Sequence, residues 1–272
     1  MLDLENKLAV VTGAADGIGA ALARQLALRK MRLAILDIRG DAAAATAANL
    51  RALGVEAESF ACDVSICAQV EDAAQAVRAR MGEVSLVWAN AGLGIPQGIL
   101  GARRDDLKWM YSVNLDGLID TLRAFVPPMQ AQQGWRWVGV TGSIAGLVRV
   151  ASGASGAYSA SKHAAIGVAE AIRGELEPSG VGVTLLCPGI VNTRIWDGER
   201  ARPDRFGGPA HRPEAVGEQW RQTGMNVDAV CEIAVQAMVN GDFYAVVADN
   251  QSTADRIETR ADAIRTSVRL CH

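Results

Sequence analysis

Residues 8–19 read Leu8-Ala9-Val10-Val11-Thr12-Gly13-Ala14-Ala15-Asp16-Gly17-Ile18-Gly19. The first five are a short apolar run, the pattern of a strand buried in a parallel sheet. It passes directly into three glycines, and Ala20–Leu28 then reads as a helix. Strand, glycine turn and helix in that order give a glycine motif its meaning. Gly13 permits the tight turn, Gly17 lets backbone approach a pyrophosphate, and Gly19 lets helix and strand pack closely. The helix N-terminus, entered through Ile18, offers free N–H groups to phosphate. The glycines are spaced GxxxGxG, and this context points to a bound dinucleotide.

Outward from this unit, apolar runs recur with helical stretches between them. Arg32–Leu36, Glu58–Cys62, Val84–Ala89, Trp137–Thr141, Val181–Cys187 and Tyr244–Ala248 read as further strands. Strands alternating with helices predict an α/β protein: a Rossmann-type, doubly wound parallel β-sheet of about seven strands with helices on both faces. Gly40–Leu53, Val70–Met81, Asp105–Phe125, Asn226–Asn240 and Ser252–Val268 read as helices. No repeat or linker divides the chain, so residues 1–272 are expected to form one dinucleotide-binding and catalytic domain.

Asp37 ends the second strand, 18 residues after Gly19. An acid there accepts hydrogen bonds from the adenosine ribose and repels a 2′-phosphate, and Asp16 adds negative charge nearby. Both favour NAD, whereas Arg39 opens a route to NADP. A plain turn aspartate is the alternative for Asp37. Ile38 follows it into the same region. Asp63, with Val64 beside it, ends the third strand and can accept from the adenine amino group or cap the next helix. Asn90-Ala91-Gly92 leaves the fourth strand beside the same crevice.

Composition narrows the class. Half of the residues are hydrophobic, 21% are charged and net charge is −3, so the chain reads as globular, with no electrostatic reason to bind nucleic acid or an anionic membrane. No apolar run approaches a bilayer span. The first seven residues carry acids where an export signal has basic residues, so a cytoplasmic protein is expected. The five cysteines (Cys62, Cys67, Cys187, Cys231, Cys271) and three histidines (His163, His211, His272) show no disulfide or metal-ligand spacing, and no metal is expected.

The chemistry concentrates in Ser155-Gly156-Ala157-Tyr158-Ser159-Ala160-Ser161-Lys162. On a helix, Tyr158 and Lys162 project from one face, one turn apart. An ammonium beside a phenol favours the phenolate, so Tyr158 is expected to exchange a proton near neutral pH. A packed tyrosine and an exposed lysine are the alternative. Ser143 lies just past the fifth strand, where open α/β sheets hold their ligands. Its hydroxyl can hold a substrate oxygen, with Ile144 and Ala145 beside it; no histidine is placed to make it a nucleophile. Asn114, within an apolar helix, needs polar partners; its amide can distort the helix and hold a water, or it is a satisfied core asparagine. Residues 194–225 form the long irregular insertion, with Trp196, Phe206, Trp220 and Met225 as apolar anchors, and read as a substrate lid.

Thr12-Gly13-Ala14-Ala15-Asp16-Gly17-Ile18-Gly19, Asp63, Asn90-Ala91-Gly92, Asn114, Ser143, Tyr158 with Lys162, and Pro188-Gly189 with Thr193 together resemble the short-chain dehydrogenase/reductase family over essentially the whole chain. The resemblance implies Tyr158 as general acid/base and Lys162 as the group that lowers its pKa and binds the nicotinamide ribose. It implies Ser143 as the residue orienting the carbonyl or carbinol oxygen, and Asn114 as holder of a relay water. Ile190 and Thr193 would contact the carboxamide. The activity implied is hydride transfer between a secondary alcohol and ketone and NAD, on a bulky or aryl substrate lined by Trp196, Phe206 and Met225. A homodimer or homotetramer is implied as well. Ala89 stands where the family often has an asparagine, and the Ser143-to-Tyr158 interval is longer than usual. Trp88 is unusually bulky. Steroid or polyol substrates, and a catalytically silent dinucleotide sensor, are the competing readings.

Overall fold

A computed structural model describes residues 2–148, 155–209, 218 and 222–269. Trp220, His211, His272, Cys271 and most of the Val150–Gly156 stretch lie outside the described residues. One parallel sheet has the order β3-β2-β1-β4-β5-β6-β7. Its strands are β1 (Leu8–Thr12), β2 (Arg32–Asp37), β3 (Ala57–Ala61), β4 (Val84–Ala89), β5 (Trp137–Thr141), β6 (Gly182–Pro188) and β7 (Tyr244–Val247). The order reverses between β1 and β4, and a ligand crevice opens at such a switch point.

The helices are α1 (Gly17–Leu28), α2 (Gly40–Arg51), α3 (Cys67–Met81), α4 (Arg104–Tyr111), α5 (Gly117–Gln130), α6 (Gly156–Leu176), α7 (Val227–Asn240) and α8 (Gln251–Ser267). They cover both faces. Leu8 and Val10 of β1 join the core under α3, α5 and α6, while Ala9 and Val11 join the core under α1, α2 and α7. That alternation follows from the two-residue period of a strand, and double-sided burial explains why β1 lacks a polar face.

Two features depart from the sequence reading. The stretch expected as one helix over Asp105–Phe125 is divided: α4 and α5 flank a π-helical turn at Ser112–Asp116 that contains Asn114. Its side chain is committed to neighbouring elements, which offsets the poorer local geometry. The bulk of Trp88 is accommodated by its strand neighbour. Trp88 registers with Gly139 of β5, where a Cβ would lie 2.3 Å from the indole. The indole Nε1–H donates to Thr141 Oγ1 at 3.1 Å, so its one polar atom is satisfied.

Candidate active site

The glycine turn shapes the floor of the crevice. Gly13 has φ +63°, and a Cβ there would lie 2.7 Å from Ala91 Cα. A Cβ on Gly19 would lie 2.3 Å from Gly13 O. Neither position accepts a larger residue without backbone displacement. Thr12, part of the quoted motif but given no role from the sequence, ties this turn to β4: its Oγ1 accepts from Asn90 N at 3.0 Å and Ala91 N at 3.1 Å. The Asn90 side chain donates to Thr12 O and Gly13 O at 3.0 and 3.3 Å. Asn90 thus fixes the turn as well as lining the crevice.

A cavity of about 540 Å³ runs from this turn to Tyr158. It collects nearly all of the expected cofactor residues: Gly13, Asp16, Gly17, Ile18, Asp37, Ile38, Asp63, Val64, Asn90, Ala91, Gly92, Pro188, Gly189, Ile190 and Thr193. Gly19 stands behind it, in the helix–strand contact. A dinucleotide fits these residues. Gly13 and Gly17 leave backbone open to the cavity, the first turn of α1 lines it through Gly17 and Ile18, and an acid closes β2.

Asp37 is buried, and its carboxylate accepts from Ala15 N at 3.0 Å, Arg39 N at 2.9 Å and Arg39 Nε at 3.3 Å. Asp16 caps α1, accepting from Gly17 N at 2.7 Å, and also accepts from Arg200 Nη2 at 3.2 Å. Burial, reinforced by Arg194 and Arg39, lowers the Arg200 pKa. Asp63 is buried too; Oδ1 holds Ser65 N and Oγ, and Oδ2 accepts from Arg205 Nη2. It caps no helix, because α3 begins only at Cys67.

The catalytic candidates converge at the far end. Tyr158 and Lys162 lie on one face of α6 and are both buried. Ser143 hydrogen-bonds the phenol. Lys162 Nζ donates to Thr141 O at 2.9 Å and stands 5.9 Å from the Tyr158 ring centre. The expected lowering of the phenol pKa is not what this arrangement gives. Burial pushes Tyr158 up to about 12, opposed by the Ser143 hydrogen bond. Burial also brings Lys162 down to about 8. The ammonium is aimed at a carbonyl, and desolvation, which disfavours both charged forms, outweighs the attraction.

Asn114 Oδ1 accepts from Leu93 N at 2.9 Å, and Nδ2 donates to Leu93 O and Ser161 Oγ, each at 2.9 Å. The amide therefore braces the strand exit against α6. Gly92 keeps the space between Asn114 and Lys162 open: a Cβ there would lie 3.4 Å from both Asn114 Oδ1 and Lys162 Nζ.

Of the residues expected to meet substrate, Ser143, Ile144, Ala145, Tyr158 and Trp196 line the cavity. The Trp196 ring meets Tyr158 edge-on, 5.3 Å between centres. Phe206 and Met225 do not line it. Phe206 packs against the cluster of Leu93, Trp109 and Tyr158 from outside. Met225 pairs with Val191, its N bonding Ile190 O at 2.9 Å, and turns toward the core under α1 and α7. In their place the cavity has Trp109, Val113, Val148, Asp249, Thr253 and Arg256. The last three come from the start of α8 and the turn before it, whose polar sequence gave no signal of a site wall.

The insertion is fastened by arginines. Besides Arg200 and Arg205, Arg202 is buried, donating to Asp106 Oδ1 at 2.5 Å and lying 5.1 Å from the Trp109 ring centre. Among the described residues, no group of His, Cys, Asp and Glu is arranged to hold a metal ion. No described helix is long and apolar enough to cross a membrane.

Comparison with known proteins agrees with this geometry. The short chain dehydrogenase family model matches residues 7–204. A 1-deoxy-11-beta-hydroxypentalenate dehydrogenase of Streptomyces avermitilis is 33% identical over 226 residues, 82% of this chain and 83% of that protein. A short-chain dehydrogenase/reductase from Burkholderia phymatum, solved in complex with NAD, is 31% identical with a TM-score of 0.89, covering 100% of this chain and 99% of that one. An alcohol dehydrogenase from Thermococcus sibiricus, complexed with 5-hydroxy-NADP, is 29% identical with a TM-score of 0.73, covering 89% and 96%. The chain belongs to the short-chain dehydrogenase/reductase family, oxidoreductases that bind NAD(P) on a Rossmann-type sheet.

Proposed function

We propose that this oxidoreductase interconverts a secondary alcohol and a ketone, uses NAD(H) in preference to NADP(H), and takes bulky or aryl substrates. The observation that carries the reading is the meeting of Ser143, Tyr158 and Lys162 at one end of a cavity whose other end is the glycine turn. The nicotinamide supplies or accepts the hydride when bound. Ser143 and Tyr158 hold the reacting oxygen, and Tyr158 moves its proton. A phenol held protonated at neutral pH is suited to donate that proton to a ketone; alcohol oxidation is expected to gain as pH rises. Lys162 holds the nicotinamide ribose from its place on Thr141 O.

The NAD preference is supported by Asp37, whose buried carboxylate ends β2 and lines the cavity. NADP through Arg39 is the second reading, and Arg39 is already drawn to Asp37. Bulk in the substrate is supported by the apolar wall of Trp109, Val113, Val148 and Trp196. The single domain with residues 194–225 as lid, the homodimer or homotetramer and the cytoplasmic location belong to the same proposal. Most large apolar residues of Leu107–Phe125 and Ser159–Leu176 are buried in or packed against the chain's own cores, so the assembly rests on the family resemblance.

Ketones of graded size, offered with NADH and NADPH while the reduced-nicotinamide absorbance is followed, test the reading. Turnover is expected with NADH on bulky members and is expected to vanish in Tyr158→Phe with cofactor binding intact. A Tyr158→Phe protein with near-normal kcat would remove Tyr158 from the mechanism. Binding of cofactor without turnover of any ketone would favour the silent sensor.

A further inference from the structure

The C-terminal helix α8 is strongly polar, and of its described side chains only Thr253 is buried. It is nevertheless held against the active site at two points. Thr253 Oγ1 donates to Asp249 Oδ1 at 2.7 Å, and Asp249 in turn packs on Gly189, where a Cβ would lie 3.2 Å from Oδ1. Two turns on, Arg260 Nη1 donates to Gly146 O at 3.2 Å and lies 2.7 Å from His163 Nε2. His163 Nδ1 lies 2.9 Å from Ser159 O, a contact that requires the hydrogen on Nδ1 and leaves Nε2 to accept from Arg260. Gly146 closes the turn that begins at Ser143, and Ser159 Oγ donates to Ala145 O of that turn at 2.6 Å. Arg260 therefore joins α8 to both the serine turn and the catalytic helix.

Thr253, Arg256 and Arg260 are spaced three and four residues apart, so they share one helix face. With its neighbours pinned on either side, Arg256 is set at the rim of the cavity that Ser143 and Tyr158 line. The cavity's other cations, like Arg256, have partners within the protein. Arg39 and Arg200 lie against Asp37 and Asp16 at the nucleotide end, Arg194 against Asp197, and Lys162 against Thr141 O. Asp249, the acid on this wall, is engaged by Thr253. A guanidinium has five donors in a fixed fork, so it can keep a contact within the protein and still present a matched pair to a carboxylate.

We propose that α8 is a specificity wall of the active site, and that Arg256, fixed by the Thr253 and Arg260 contacts, selects bulky ketones and alcohols bearing a carboxylate away from the reacting carbon. The apolar wall takes the body of such a substrate, and the rim cation takes its charged end. The proposal rests on the reading of the cavity as an alcohol/ketone site and names the class of substrate it prefers.

The test uses the full chain saturated with NAD+, which has no hydride to give a ketone, and two probes, 5-oxo-5-phenylpentanoate and its methyl ester, with affinities measured by calorimetry. The acid is expected to bind about fivefold more tightly than the ester, the scale of a partly exposed charge pair with good geometry. Arg256→Gln is expected to erase that ratio and Arg256→Lys to retain part of it. Equal affinities, no binding of the acid, or a ratio that survives Arg256→Gln would overturn the proposal. Turnover of the ester by the unaltered protein is read separately, with NADH. Its occurrence without an acid preference keeps the oxidoreductase reading and removes Arg256, whereas an acid preference without turnover removes the reaction and keeps the anion site.

Discussion

Arg205 Nη2 lies 2.6 Å from Asp63 Oδ2 and 2.6 Å from Ser65 Oγ, so a residue of the insertion sits on the carboxylate assigned to adenine. Arg200 stands in the same relation to Asp16 at the glycine turn. Ten residues of chain thus span from Trp196 on Tyr158 to Arg205 on Asp63, crossing between the chemical and nucleotide ends. Arg205→Gln is expected to loosen that span and speed NADH release about fivefold, on the scale of one charge-assisted contact to a buried acid. Stopped-flow displacement measures it, and raised salt should shrink the difference. Slower release from the variant would mean that Arg205 competes with adenine for Asp63.

Lys162 carries a stability cost with a defined pH window. Burial brings its pKa to about 8, against an ordinary value of 10.5. Between those values the unfolded chain binds more protons than the folded one, so stability rises with pH there. The cost is full below about pH 8 and gone above about 10.5. Lys162→Met should therefore abolish activity yet stabilise the fold at pH 7 by about 1–2 kcal/mol, less than the full linkage because Thr141 O loses its donor. Urea melts at pH 7 and 9.5 should show the gain shrinking at the higher value. Tyr158, raised to about 12, loses its own contribution only from about pH 10 upward, so it does not blur the comparison. A variant no more stable at pH 7 would contradict the assigned cost.

Asp37→Ala removes the acceptor of the Ala15 and Arg39 amides and frees the Arg39 guanidinium. The ratio of kcat/KM for NADPH over NADH is expected to rise at least about tenfold, through both loss of repulsion and gain of a phosphate donor. If the unaltered protein already prefers NADPH, Arg39 rather than Asp37 sets the choice.

Arg260→Gln tests how far the helix that carries Arg256 governs the serine turn. Losing the donor to Gly146 O should cost about threefold to tenfold in kcat, with cofactor affinity unchanged, because the effect passes through Ser143. Arg260→Lys should restore part of it. A fall confined to thermal stability would assign Arg260 a purely structural part.

The parallel sheet and the residues gathered in the crevice were legible because each strand is a short apolar run and each crevice residue acts through its own backbone or a strand terminus. Gly13, Asp37 and Asp63 have positions set by local rules, and a short apolar run next to each fixes the register. Tyr158 and Lys162 were legible as a pair on one helix, but not their ionisation, which depends on burial and on where Lys162 points. The lining of the cavity beside Tyr158 was only partly readable. Trp196, expected from its bulk, lines the cavity, whereas Phe206 and Met225 pack elsewhere for reasons of tertiary structure. Arg256 and Arg260 sit in a polar amphipathic stretch that looks like any solvated helix. The π turn at Asn114 likewise depends on Leu93 and Ser161, far away in sequence.

Gly94 offers the sharpest probe of the substrate wall. Its N bonds Ile195 O at 3.3 Å, and a Cβ on it would fall 2.7 Å from Trp196 Cζ3. The indole edge therefore rests on bare backbone while the same ring meets Tyr158. In Gly94→Ala the methyl cannot share that space, and a close-packed interior relays the displacement to the ring. If Trp196 is a wall for aryl substrates, moving it weakens their binding by about 1.4 kcal/mol, an aromatic contact, and raises KM about tenfold. Small ketones, which do not reach the ring, should keep their KM, and Trp196→Ala should reproduce the pattern. A fall in KM for the large ketones in both variants would instead make Trp196 a plug over Tyr158 that substrate must displace.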